Sequence, residues 1–171
     1  MTTTRPTKSA DERRPDAVVR VKMPGCLADY FRHHLGSPIC FPPRSAERDI
    51  IARGVCRRHE QQAAEDVGEP VAVFRRSDKR VPSDPVMSEP GRAKLLRAMN
   101  GILTAAVWTA MLPKFAEGRG LNNEIDRWCA ANGIAIDHRE AVRQRLYRLR
   151  RQYAALGIVV GRLHKDIVKN D

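Results

Sequence analysis

Aromatic residues are scarce: two Trp, three Tyr and four Phe make up 5% of the 171 residues. That argues against a surface for stacking unpaired bases, which needs aromatic side chains in series. Acidic residues are outnumbered, 20 against 31 Lys and Arg. A nuclease centre needs several carboxylates converging on a divalent ion, and the order of Asp and Glu predicts none. No Gly-rich phosphate loop occurs, since Gly118-Arg-Gly120 is too short and lacks a following Lys-Ser or Lys-Thr. No helix carries two His four apart with a Glu between them. The chain therefore reads as non-catalytic. Of the four Cys, only Cys56 has a ligand-like spacing, to His59, whereas structural zinc sites show two tight pairs. Cys26, Cys40 and Cys56 read as small core residues, and His33, His34 and His59 as surface histidines. No metal and no cofactor are expected. The longest uncharged run, Ala98–Pro113, is shorter than a membrane span and holds Asn100, Gly101, Thr104 and Thr109. The N-terminus lacks the apolar region of a secretory signal. The expectation is a soluble, cytoplasmic chain with reduced thiols, no membrane contact and no small-molecule substrate.

What is abundant is positive charge, +11 in all with a pI near 10.2. An excess of that size points to a polyanionic partner. Arginine dominates, and its planar fork contacts phosphate and guanine through two N–H groups at once. Residues 91–171 carry 15 Lys and Arg against 7 Asp and Glu, a net +8, which leaves +3 for residues 1–90.

The chain is organised around Ala17 to His59. Val19, Val21 and Met23 alternate with Arg20 and Lys22, the period of a strand with a cationic outer face. Pro24 ends that strand. Leu27, Tyr30, Phe31 and Leu35 then form a helical stripe, with Gly36 at its C′ position. Pro38, Pro42 and Pro43 force an irregular connection, after which Ser45 is placed to cap a second helix with Ile50, Ile51, Gly54 and Val55 inward. This helix is expected to fade near Glu65–Gly68.

Val19-Arg-Val-Lys-Met-Pro24, the helix Leu27–Leu35 and Ser45-Ala-Glu-Arg-Asp-Ile-Ile51 together resemble the ribbon-helix-helix DNA-binding family. The resemblance covers about a quarter of the chain. It implies a dimer whose paired strands lie in the DNA major groove. Arg20 and Lys22 would then face the bases, with Val18 beside them. The N–H groups after Ser45 would hold a phosphate, supported by Arg44 and Arg48. The nine-residue connection Gly36–Arg44 is longer than the family's turn.

Residues 1–16 are polar and read as a disordered arm. Pro70–Phe74 is a short β-like run inside a linker placed at residues 69–90, whose Pro82, Pro85 and Pro90 act as spacers. Gly91–Phe115 is apolar nearly all round, which suits a helix buried by neighbours or at an oligomer interface; Pro113 and Gly118-Arg-Gly120 bring it to an end. Leu121–Asn132 is a short helix, and Gly133 follows its end. Asp137, with Glu140 three residues on, is placed to cap the last helix. There Val142, Leu146, Leu149, Tyr153 and Leu156 form a helical stripe, and Gly157 ends it. The two helices and Ile158-Val-Val160, read as a strand, resemble helix-turn-helix and winged-helix DNA-binding proteins. That resemblance makes Gln144 and Arg148 base readers and Arg143, Arg145 and Arg151 phosphate neutralisers.

The expected fold is mainly α: a strand–helix–helix unit over residues 17–68 and a basic helical bundle of helix-turn-helix type over residues 91–171. The expected function is non-catalytic binding of double-stranded DNA as a homodimer, in transcriptional or mobile-element regulation, with a nucleoid location. Two alternatives share the charge: an adaptor or inhibitor docking an acidic protein, and an RNA-binding protein.

Overall fold

The computed structural model describes residues 14–58, 67–75, 80–117 and 120–158. The chain is mainly α-helical, with five α-helices and two short two-stranded sheets among these residues. It divides into two compact units. One comprises Met1–Lys22 and Leu35–Leu96, the other Met23–His34 and Arg97–Asp171.

The first unit is built on strand β1 (Ala17–Val21). Val19 and Val21 are buried while Val18, Arg20 and Lys22 face outward, as the alternation predicts. β1 pairs antiparallel with β3 (Glu69–Val73), in a register running from Ala17 opposite Val73 to Val21 opposite Glu69. Ile39 bridges to Val71 on the far side of β3, and both are fully buried. Helix α2 (Ala46–Gly54) starts where Ser45 Oγ accepts the Arg48 N–H at 3.2 Å. It ends far short of residues 65–68. Val55–Arg57 instead forms strand β2, paired with β4 (Pro85–Met87). The physical reason is the Val55 side chain, which favours strand, and a partner strand that sequence order did not announce. β3 and β4 both lie in the stretch expected as linker. Asp16, expected in the N-terminal arm, extends the ribbon, because its N–H donates to the Val73 carbonyl at 2.9 Å.

The second unit contains helix α1 (Gly25–Leu35) up to His34, most of α3 (Glu89–Glu117), α4 (Leu121–Ala131) and α5 (Arg139–Ala155). Helix α1 therefore groups with the C-terminal helices, although it stands beside β1 in sequence. Its Leu27 and Phe31 are buried, and Tyr30 stacks on Trp128 of α4 with ring centroids 5.9 Å apart. In α3 the residues Leu95, Met99, Leu103, Val107, Met111 and Phe115 are buried. A spacing of four drifts about 40° per step around a 3.6-residue helix, so this stripe spreads over more than one face. The helix continues through Pro113, which was expected to help end it. Over Glu89–Phe115 it is long and apolar enough to cross a membrane, with mean hydropathy 1.3. The core helix of a soluble protein meets the same test of length and composition.

Both α4 and α5 end as their glycines predict. The Ile134 N–H donates to the Cys129 carbonyl at 2.9 Å and Gly133 to Ala130 at 3.3 Å. Ile158 and Gly157 repeat the pattern on Tyr153 and Ala154. Gly133 and Gly157 have φ of 71° and 77°, which this closure requires. The start of α5 differs from expectation. Ile136–His138 is a single 3₁₀ turn, and Asp137 caps nothing. Glu140 does not reach back either, because Arg143 and Gln144 hold its carboxylate. Ile158 is not in a strand, and Val159 and Val160 lie outside the described residues, as does His59.

Candidate functional site

The first unit gathers cations at one end of the β1–β3 ribbon. Arg44, Ser45 and Arg48 line an open cleft of about 440 Å³ together with Ala46, Asp49, Ala52, Phe74 and Arg75. Ser45 opens α2, so the unpaired N–H groups of its first turn lie at this cleft. Arg44 precedes the cap with φ 65°, in the left-handed region. The guanidinium of Arg48 lies over the Phe74 ring, 3.6 Å from the centroid. Arg75 is brought in by its own N–H, which donates to Asp16 Oδ2 at 2.6 Å. Three guanidiniums thus share this end of the ribbon with two carboxylates, Asp49, which Arg53 approaches to 2.7 Å, and Asp16. The arrangement suits an anion with several acceptor oxygens.

Arg20 and Lys22 lie further along the outer face of the ribbon. Arg20 is three residues from Ala17, about 10 Å at strand rise, and Lys22 about 17 Å. Arg20 Nη1 donates to the Gly68 carbonyl at 3.2 Å. Because β1 pairs with β3 of its own chain, one of its edges is already used. A ribbon made with a twin strand, which the family resemblance implies, would have to form on the opposite edge.

The second unit uses most of its expected DNA-contacting residues internally. Arg143 Nη2 donates to both oxygens of Asp126, at 2.5 and 2.6 Å, and Nη1 to Glu140 at 3.1 Å. The bonds from Asp126 and then Glu140 raise its pKa further. Arg145 is half-buried, donates to Asn100 Oδ1, and has its pKa lowered by burial. Gln144 donates to Glu140 at 2.7 Å. Arg148 and Arg151 are exposed, and Arg148 Nε reaches the Gln144 carbonyl at 3.3 Å. Of the five α5 candidates, Gln144, Arg148 and Arg151 are thus exposed, and Gln144 is already bonded within its own helix. Arg143→Ala is expected to lower the melting temperature without altering the salt dependence of DNA retention. Arg148→Ala with Arg151→Ala should do the reverse. Equal effects of the two variants on both measurements would remove the distinction.

Glu140 also carries a pH dependence. Its bonds from Gln144 and Arg143 hold the carboxyl below its ordinary 4.5, and the bond from Arg92 does the same for Glu89. A folded-state pKa below the unfolded one contributes stability above the unfolded value, and this is lost as pH falls through the folded one. The melting temperature should therefore fall below about pH 4.5, and less steeply in the Glu89→Gln, Glu140→Gln double variant. An identical fall in the variant would show that other carboxylates carry it.

One acid–base pair escaped the sequence reading. His138 Nδ1 lies 2.6 Å from Asp29 Oδ2, which also accepts the Ala135 N–H at 3.0 Å. The other ring nitrogen is pressed against α1, so close that a Cβ on Gly25 would lie 2.1 Å from it. The pair works as a strut between α1 and the turn before α5. Burial pushes the Cys129 thiol up to about 11, which leaves it protonated and unreactive at neutral pH. Among the described residues no group of three His, Cys, Asp or Glu is placed to hold a metal ion.

Phe74, Arg75 and Gly68 were also missed. Arg75 falls in the stretch expected as linker, and no local spacing reveals that it meets α2. Comparison with family models, curated proteins and solved structures found no match to this chain.

Proposed function

We propose that this chain is a non-catalytic double-stranded DNA-binding protein, of the kind that regulates transcription or a mobile element. One observation carries the reading: Arg44, Ser45, Arg48 and Arg75 gather at one end of a two-stranded ribbon whose outer face bears Arg20 and Lys22. A two-stranded ribbon fits the major groove of B-DNA, which is about 12 Å wide. A phosphate in the cleft at the groove edge would leave Arg20, about 10 Å along the strand, above base edges. Phosphate contacts position the protein and base contacts select the sequence. Val71, Ala72 and Val73 are buried, so β3 backs the ribbon and only β1 offers its outer face to a groove; a homodimer would add a second half-site.

The test is retention of random duplex DNA by the full chain across a salt series. Log affinity should fall linearly with log salt, by about 0.9 for each phosphate neutralised. Duplex RNA should be held less well, because its deep, narrow major groove excludes a ribbon. Equal retention of both polymers would favour an RNA-tolerant surface. The absence of salt-sensitive retention of either would favour an acidic protein partner.

A further inference from the structure

We infer that the backbone carbonyl of Gly68 is the group that makes Arg20 a guanine reader; the inference rests on the duplex-binding reading. Arg20 stands on the outer face of β1, and its Nη1 donates to this carbonyl at 3.2 Å. Gly68 immediately precedes Glu69, which is paired with Val21. Its backbone presses on β1: a Cβ there would lie 2.8 Å from the Val21 carbonyl carbon and 2.9 Å from the Lys22 nitrogen, and its φ is +147°. Only glycine fits, and the fit delivers the carbonyl to the Arg20 side chain.

A guanidinium is planar and carries five N–H donors. Fixing one of them on a rigid carbonyl restricts the swing of a long side chain and orients the plane. Four donors remain, and two parallel ones match O6 and N7 of guanine, the commonest specific contact in the major groove. Lys22, exposed on the same face, has no such acceptor among the described residues and acts as a plain charge. Val18, 44% exposed two residues before Arg20, offers an apolar spot to a thymine methyl. The substrate class is therefore B-form duplex with guanine at one position.

Selection of bound sequences from a random duplex pool tests this, using the full chain, Gly68→Ala and Arg20→Lys. The wild type should enrich one guanine position. Both variants should cut that enrichment on the order of tenfold, while the salt slope keeps its wild-type value because the number of cations is unchanged. Nitrogen NMR of the free wild-type protein supplies a readout independent of folding in the variants. Arg20 should show slowed guanidinium rotation compared with the exposed Arg97. A folded Gly68→Ala with undiminished guanine enrichment, or an Arg20 rotating as freely as Arg97, overturns the positioning role. If Gly68→Ala fails to fold, the NMR comparison and Arg20→Lys decide. A wild type that retains no duplex overturns the underlying reading, and the NMR result then still reports on the Gly68 contact alone.

Discussion

Replacing Arg44, Arg48 and Arg75 together by glutamine should flatten the salt dependence of duplex binding by about three in slope, close to one for each phosphate contact. These side chains come from two segments far apart in sequence and meet at one cleft. A polyanion drawn there releases counterions in proportion to the cations that meet it. Glutamine keeps an apolar stem over the surface where alanine would not, so the change is mostly one of charge. The variant loses the contact of Arg48 with Phe74, worth roughly 0.5–1 kcal/mol at an exposed site, which a folded domain tolerates. Ser45→Ala is the companion test. It removes the cap at a cost of about 1 kcal/mol and should leave the slope alone. A triple variant with the wild-type slope would show that duplex DNA does not use the cleft.

Phe31→Ala should destabilise the second unit by roughly 3–5 kcal/mol, the usual cost of deleting a buried phenyl ring. Phe31 is 3% exposed and lies on α1, which is separated in sequence from the rest of its unit. A typical domain has only about 5–15 kcal/mol in total, so the melting temperature of the second unit should fall sharply, and circular dichroism would record it. The same reasoning applies to a fragment of residues 91–171, which looks self-contained in sequence. Without α1 it loses Leu27 and Phe31 from its core, the Tyr30–Trp128 stack and the Asp29–His138 strut. It should melt without a cooperative transition. A fragment that melts like the full chain would make α1 dispensable.

Much of the local structure was legible from periodicity and end signals. The alternation of Val19, Arg20, Val21 and Lys22 gave the strand and its faces. Ser45 gave the start of α2, and Gly133 and Gly157 gave the ends of α4 and α5. Most of the failures share one cause. The limit of α2, the strands at Val55 and Pro85, and the start of α5 depend on partners distant in the chain. Asp137 had the spacing of a cap, yet a 3₁₀ turn took its place, with the His138 ring bonded to Asp29.

The candidate site divides in the same way. Alternation with buried valines marks Arg20 and Lys22 as outward cations, and the resemblance to the ribbon-helix-helix family supplies Arg44 and Arg48. Residue type could not show which arginines the protein uses on itself. Arg143 and Arg145 look like Arg148 and Arg151 in a helical pattern, but Asp126 and Asn100 come from other helices. Periodicity is a property of one segment, so the sequence by itself determined the faces and ends of the elements. Which strand pairs with β1, which unit holds α1, and which arginines remain for a partner were decided by tertiary structure, because each depends on groups that only folding brings within bonding distance.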